Sequence, residues 1–233
     1  MPAPKDRLIV ALDVPSPDEA RQLIGKLEPA VGIYKIGLEL LYSGGAELAK
    51  DLVQTGSKVF LDAKLLDIPQ TIERATANIA SLGAAFLTVH GLDAKTLDAA
   101  RRGRGASSMA LLAVTVLTSL DQDDLNQQGI DMTPQDLALR RALFAQEAGF
   151  DGVVASGQEA GPIRKATGAD FLIVTPGIRP EGGEVQDQAR VTTPAKAIAA
   201  GADYLVVGRP ITQADDPLAA AEAIIAEIDK VGG

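Results

Sequence analysis

The sequence predicts an α/β protein whose parallel strands close into a (β/α)8 (TIM) barrel, and three observations support this fold class. Short runs of apolar, β-branched residues alternate with amphipathic stretches along the whole chain. The runs are nearly continuous rather than alternating in polarity, which is typical of parallel strands buried on both faces. The length of 233 residues lies in the range of one barrel. We therefore expect a single domain over residues 1–233, with a doubly wound open sheet as the main alternative.

The strands and helix boundaries follow from local pattern. Ser16, Thr133 and Thr193 each precede a proline, the arrangement of an N-cap and a first helical residue. The predicted strands cover residues 8–12, 31–36, 58–62, 85–90, 109–117, 152–156, 170–176 and 203–208. Glycine favours the left-handed conformation that ends a helix, so helix ends are predicted at Gly83, Gly149, Gly168 and Gly201.

The amino-acid composition argues against several classes of function. The net charge of −9 argues against binding nucleic acid, although local arginines would still permit an anionic small substrate. The absence of cysteine excludes disulfides, thiolate nucleophiles and cysteine-ligated metals. With no apolar run of about 18 residues and no signal-peptide pattern, we expect a cytoplasmic protein that does not bind membranes.

Polar and ionisable residues follow the predicted strands at their C-terminal ends, where barrels have their active sites. Folding alone would favour apolar side chains there, so these residues are predicted to form a site. They are Asp13, Lys35, Asp62, Lys64, His90, Thr118, Ser119, Arg179, Gly208 and Arg209. We interpret His90, the sole histidine, as a hydrogen-bonding residue at a strand end rather than a catalytic one.

The stretch 62–71 places three charges at the end of a strand. Asp62 and Lys64 are two residues apart and should share a face, so that Asp62 and Asp67 bracket one ammonium. Burial alone can lower a lysine pKa by about 3 to 5 units. A carboxylate 4 Å away opposes this by roughly 4 kcal/mol at an effective dielectric near 20. Lys64 could then stay protonated in a dry pocket and act as a general acid, the alternative being a surface salt-bridge ladder.

The loops after the last two predicted strands suit a phosphate group. Each carries a glycine that allows close backbone approach and an arginine, Arg179 or Arg209, that can contact phosphate oxygens. Two solvated surface arginines are the alternative. The segment 177–190 is long for a βα connection and is predicted to be a lid, from which Gln188 could reach a bound phosphate.

Together these motifs resemble the orotidine 5'-phosphate decarboxylases of the bacterial type, over the whole chain. The matching motifs are Ala11-Leu12-Asp13, Lys35-Ile36-Gly37, D-x-K-x-x-D-I-P-x-T at 62–71, Leu117-Thr118-Ser119, Pro176-Gly177-Ile178-Arg179 and Val207-Gly208-Arg209. The resemblance implies decarboxylation of orotidine 5'-monophosphate to UMP, the last step of de novo pyrimidine synthesis, with no cofactor and no metal.

The resemblance also implies a role for each matched residue. Lys64 donates the proton to C6, and Lys35, Asp62 and Asp67 complete an alternating charge array. Asp67 and Thr71 reach into the neighbouring subunit's site in a homodimer. The implied substrate contacts are Asp13 and Lys35 to the ribose, Thr118 and Ser119 to the pyrimidine, and Arg179, Gln188, Gly208 and Arg209 to the phosphate. Leu66 and Gln70 stand where many relatives have His and Asn.

Two other functions remain open. A metal-dependent phosphosugar decarboxylase of the same superfamily shares the D-x-K-x-x-D core, but Ile68-Pro69, Thr71 and the long lid favour the first assignment. A non-catalytic sensor of a phosphorylated ligand could use the same scaffold, because a fold alone does not imply chemistry.

Overall fold

Eight parallel strands form a closed barrel in the computed structural model, which describes residues 3–180 and 192–232. Each strand pairs with its neighbours in chain order, and the last strand pairs with the first. This closure confirms the predicted (β/α)8 barrel and excludes the open doubly wound sheet. The strands are β1 (Leu8–Ala11), β2 (Ile33–Ile36), β3 (Lys58–Leu65), β4 (Phe86–His90), β5 (Ala110–Val114), β6 (Gly152–Val154), β7 (Leu172–Thr175) and β8 (Tyr204–Val207).

Helices cover the outside of the barrel and begin at the predicted caps. The side chains of Ser16, Thr133 and Thr193 each accept a hydrogen bond from a backbone N–H of the first helical turn. The α-helices are α1 (Pro17–Leu27), α2 (Leu38–Leu40), α3 (Ala46–Gln54), α4 (Pro69–Leu82), α5 (Ala94–Arg104), α6 (Gln122–Gln127), α7 (Pro134–Glu147), α8 (Ala160–Thr167), α9 (Pro194–Ala199), α10 (Arg209–Thr212) and α11 (Pro217–Gly232). A 3-10 turn (Pro4–Arg7) precedes β1, and a π-helical turn (Leu41–Gly45) joins α2 to α3. The predicted glycines follow the ends of α4, α7, α8 and α9, each with a positive φ.

The apolar core has two layers, separated by the wall of the barrel. The outer layer packs the helices against the outward side chains of the strands. The inner layer fills the barrel with Ile9, Ala11, Ile33, Phe60, Phe86, Leu112, Val174 and Val206. Side chains alternate along a strand, so a residue two positions after an inward residue also points inward and lies closer to the C-terminal end of the barrel. Two positions after Ala11, Ile33 and Phe60 lie Asp13, Lys35 and Asp62, respectively.

Some predicted strand ends were wrong. The prediction extended the fifth strand to residue 117, whereas β5 ends at Val114. The apolar residue beyond it, Val116, packs with Leu125 and Leu137 in a small cluster outside the sheet. The apolar residues therefore continue past the end of β5 because they pack in this cluster and not in the sheet.

Within the described ranges, no helix is long and apolar enough to cross a membrane.

Candidate active site

The barrel opens at the C-terminal ends of its strands into a cavity of about 530 Å³. Side chains of the inner core layer, including Ala11, Phe60 and Val206, line its apolar part. The predicted site residues that line it are Asp13, Lys35, Asp62, Lys64, Thr118, Arg179, Gly208 and Arg209. A cavity with apolar walls and several charged groups suits a small charged ligand.

Four charged side chains, on or just after the first three strands, form an alternating series in this cavity. The Lys35 ammonium lies 2.9 Å from Asp13 Oδ1 and 3.5 Å from Asp62 Oδ2. The Lys64 ammonium donates to the same Asp62 Oδ2 at 2.7 Å. Asp62 therefore shares one oxygen between two ammonium groups, and Lys64 is the end of the series.

The centre of this series is buried, whereas its two ends, Asp13 and Lys64, are more exposed. The side chain of Lys35 is 9% exposed and that of Asp62 is 13% exposed. Burial opposes ionisation of Asp62, but the charges of Lys35 and Lys64 and hydrogen bonds from Lys64 and Thr88 outweigh it, so the pKa of Asp62 lies below its usual value. Asp62 is thus ionised at neutral pH, and because its side chain is largely buried the surface-ladder alternative is wrong for the Asp62–Lys64 pair.

The backbone at Lys64 departs from a regular strand. The pairing of β3 with β4 shifts between Leu61 and Leu65, and Lys64 has a φ of 47°, in the left-handed region that non-glycine residues seldom adopt. Asp62 and Lys64 lie together, as the sequence predicts. The predicted reason, regular alternation of side chains along the strand, is wrong. A bulge in the strand directs the lysine.

Gly37 makes room for the first pair of the series. A Cβ atom at this position would lie 2.8 Å from both Asp13 Oδ1 and Lys35 Nζ. Gly37 has φ −91° and ψ −176°, which any residue can adopt. Glycine is therefore needed here for space and not for backbone freedom.

Comparison with known proteins shows the family to which this chain belongs. The sequence model of the orotidine 5'-phosphate decarboxylase / HUMPS family matches residues 6–224. The chain belongs to this family. An orotidine 5'-phosphate decarboxylase of Bradyrhizobium sp. (strain BTAi1 / ATCC BAA-1182) is 54% identical over 226 residues, covering 97% of this chain and 93% of the relative. The enzyme of that name from Methylobacterium nodulans is 53% identical over 230 residues, 97% of each chain.

A solved structure shares the fold as well as the sequence. The crystal structure of orotidine 5'-phosphate decarboxylase from Lactobacillus acidophilus has a TM-score of 0.85 to this chain at 38% identity, covering 96% of this chain and 99% of that one. An uncharacterised conserved protein from Geobacillus kaustophilus has a TM-score of 0.82 at 35% identity. The family membership expected from the motifs is therefore confirmed.

Both arginine loops of this family member reach the cavity. Arg179 follows β7 and is 8% exposed, and its Nη1 donates to the Ile178 carbonyl at 2.9 Å. Its backbone N–H donates to the carbonyl of Thr192. Arg209 begins α10 directly after Gly208 and is partly buried. The alternative of two solvated surface arginines is therefore wrong.

The remaining predicted residues lie away from the cavity. Asp67 is exposed, its Oδ1 accepts from the Ile68 N–H at 2.6 Å, and no ion pair of the described residues joins it to Lys64. Within one chain, the prediction that Asp62 and Asp67 bracket Lys64 is thus wrong for Asp67. Thr71 and Ser119 are also exposed and do not line the cavity. Gln188 lies outside the described residues, as does most of the predicted lid.

His90 lies at the end of β4 and is half-buried. Burial lowers its pKa, and the charges of Lys64 and Arg141 lower it further against the opposing effect of Asp62. Its imidazole makes no hydrogen bond with another described residue, so the predicted side-chain hydrogen bond at the strand end is not found in the described part of the chain. A neutral imidazole beside the array adds no positive charge to it.

Sequence reasoning missed several residues of the site. Glu39 and Gln213 line the cavity from α2 and from the end of α10. Thr88 contacts Asp62 and Lys64 from β4. The sequence feature that could have identified Thr88 is a hydroxyl residue at an inward position among the apolar residues of β4. No group of three or more His, Cys, Asp or Glu side chains in residues 3–180 and 192–232 is placed to hold a metal ion.

Proposed function

We propose that this protein decarboxylates orotidine 5'-monophosphate to UMP, without a cofactor, in pyrimidine nucleotide synthesis. The observation that carries the proposal is the alternating series Asp13, Lys35, Asp62 and Lys64 in the cavity of a chain whose relatives are named orotidine 5'-phosphate decarboxylases. Lys64 ends this series with its ammonium at the cavity, where a reacting atom can meet it.

The chemistry requires what Lys64 supplies. Loss of CO2 from C6 leaves an electron pair in the plane of the pyrimidine, where the ring π system cannot delocalise it. A preorganised positive charge beside C6 stabilises that pair, and the same ammonium can then transfer a proton to C6. Asp62 beside the substrate carboxylate repels it in the ground state, and departure of CO2 relieves the repulsion.

The other cavity residues suit the rest of the nucleotide. In this proposal Asp13 and Lys35 bind the ribose hydroxyls, and Thr118 with Ser119 binds the pyrimidine. Arg179, Gln188, Gly208 and Arg209 bind the phosphate. Arg179, Gly208 and Arg209 follow the neighbouring strands β7 and β8 and line the cavity, which supports the last assignment. Binding of the remote phosphate can then be used to orient the reacting carbon against Lys64.

We further propose a homodimer in which Asp67 and Thr71 complete the partner's site. Exposure of both residues outside their own cavity supports this arrangement. Leu66 and Ile68, which flank Asp67, are 52% and 66% exposed, an apolar surface that a second subunit would cover. The partner's Asp67 would then lie beyond Lys64 and extend the alternating charges.

A spectroscopic assay tests the proposal. Purified protein should decrease the ultraviolet absorbance of orotidine 5'-monophosphate as UMP forms, and dialysis against EDTA should leave the rate unchanged. Unphosphorylated orotidine should react far more slowly, because the phosphate binding energy is lost. A requirement for added magnesium would favour the metal-dependent phosphosugar decarboxylase. Tight binding of the nucleotide without turnover would favour the sensor.

A further inference from the structure

Thr88 lies on strand β4 and faces the charge array. The register pairs Leu61 with Leu87 and Leu65 with Val89, so residues 62–64 of β3 face only Thr88 on the neighbouring strand. Thr88 has no solvent exposure. It does not line the cavity, so it makes no direct contact with a ligand there.

The Thr88 hydroxyl joins both halves of the bulge. Its Oγ1 donates to Asp62 Oδ1 at 2.8 Å and accepts from the Lys64 backbone N–H at 2.9 Å. A hydroxyl has one donor and two acceptor positions, and no apolar side chain of the same shape can make both bonds. The side chain thus replaces the backbone partner that the register shift removes.

Each of these two bonds restrains a different degree of freedom. Asp62 Oδ2 is shared by Lys64 and Lys35, and the bond to Oδ1 fixes the rotation of the carboxylate plane about them. Lys64 has a φ of 47°, which is strained for a residue with a side chain. Anchoring its N–H to Thr88 holds that conformation and with it the direction of the ammonium.

We propose that Thr88 is a positioning residue that sets the Asp62 carboxylate and the Lys64 ammonium for proton transfer without touching substrate. The inference rests on the proposed decarboxylase function. It predicts that loss of the hydroxyl lowers kcat and leaves KM nearly unchanged, because the groups that bind ribose and phosphate are not contacted by Thr88.

The test compares variants that separate the hydroxyl from side-chain volume. Thr88→Val keeps the shape without the hydroxyl, while Thr88→Ser and Thr88→Ala are nearly equal in size and differ by the hydroxyl. The control is Thr115→Val, which removes a buried hydroxyl that donates to the Val154 carbonyl at 2.9 Å rather than to the array. Initial rates with orotidine 5'-monophosphate are normalised to folded protein by circular dichroism.

We expect Thr88→Val and Thr88→Ala to lose about 10- to 100-fold in kcat with KM within about threefold of wild type. Thr88→Ser should recover most of the rate, and Thr115→Val should turn over normally. Equal rates for the Ser and Ala variants would overturn the inference even if the Val variant failed to fold.

A crystal structure of Thr88→Ala supplies a readout that does not depend on activity. If Lys64 Nζ stays 2.7 Å from Asp62 Oδ2 with the Lys64 φ unchanged, Thr88 does not position either group. Absence of turnover in the wild type would instead refute the proposed function, and the crystal structure would still decide the role of Thr88.

Discussion

Substitution of Gly37 by alanine isolates the contribution of the Asp13–Lys35 pair. The new Cβ would lie 2.8 Å from Asp13 Oδ1 and from Lys35 Nζ, whereas ordinary contacts begin near 3.4 Å. Both atoms must therefore retreat by about 0.6 Å. They are the ends of flexible side chains, so we expect the fold to persist while the pair separates.

The expected loss of kcat/KM can be calculated from the increase in the Asp13–Lys35 distance. The Cβ and the two charged atoms form a nearly equilateral triangle, so retreat from the Cβ lengthens the Lys35–Asp13 contact from 2.9 Å to about 3.5 Å. At an effective dielectric near 20, two unit charges attract by roughly 5.7 kcal/mol at the first distance and roughly 4.7 kcal/mol at the second, so the contact weakens by about 1 kcal/mol. The Asp13 side chain is 52% exposed, and solvent screening reduces the loss to about 0.5 kcal/mol. That corresponds to roughly twofold in kcat/KM.

The assay is decarboxylation of orotidine 5'-monophosphate, with stability measured in parallel by urea unfolding. Gly37→Ala should unfold within about 1 kcal/mol of wild type, because its backbone angles suit alanine. Gly32→Ala is the matched control, since a Cβ there meets nothing within 4 Å. Unchanged kcat/KM in the Gly37 variant would refute the view that this contact sets the geometry of the array.

Three further substitutions test separate parts of the site. Lys64→Arg keeps a charge but not a transferable proton, since the pKa of arginine lies above about 12, so kcat should fall by orders of magnitude in single-turnover measurements. Arg209→Ala should chiefly raise KM for the nucleotide, because it removes a phosphate contact. The pKa of Asp62 is lowered in the folded chain, so its ionised form contributes stability above about pH 4 that is lost as pH falls through the folded pKa. Asp62→Asn should therefore unfold at lower urea than wild type at pH 7, and the difference should shrink as the pH falls below about 4.

The fold could be predicted because its determinants are local. Buried parallel strands give near-continuous apolar runs, and a capped start such as Ser16-Pro17 marks a helix without knowledge of its partners. The C-terminal ends of parallel strands meet at one face, so the strand order alone brought Asp13, Lys35 and Asp62 to one cavity.

What the sequence did not predict depends on contacts between distant segments. The bulge at Lys64 exists because β3 shifts its register against β4, and no local pattern in residues 58–65 signals that shift. Thr88 matters because it faces the bulge from 24 residues away in sequence. The fit of Gly37 against Asp13 and Lys35 likewise requires three-dimensional distances.

The proposed sharing of sites between subunits makes the most specific prediction. Asp67 is exposed outside its own cavity, so in a two-fold dimer each site would combine Lys64 of one chain with Asp67 of the other. Lys64→Ala and Asp67→Ala should each be nearly inactive as homodimers. Unfolding the two variants together and refolding them produces mixed dimers in which one site lacks both groups and the other has both intact.

Random pairing makes about half of the refolded dimers mixed, and each mixed dimer has one working site of two, so activity should recover to roughly a quarter of wild type. If Asp67 instead serves the site of its own chain, every site in the mixture lacks one group and no activity returns. Native mass spectrometry of the refolded sample establishes that mixed dimers have formed. Inactive mixed dimers would contradict the shared site while leaving the decarboxylase proposal intact, because the Asp13–Lys35–Asp62–Lys64 series is complete within one chain.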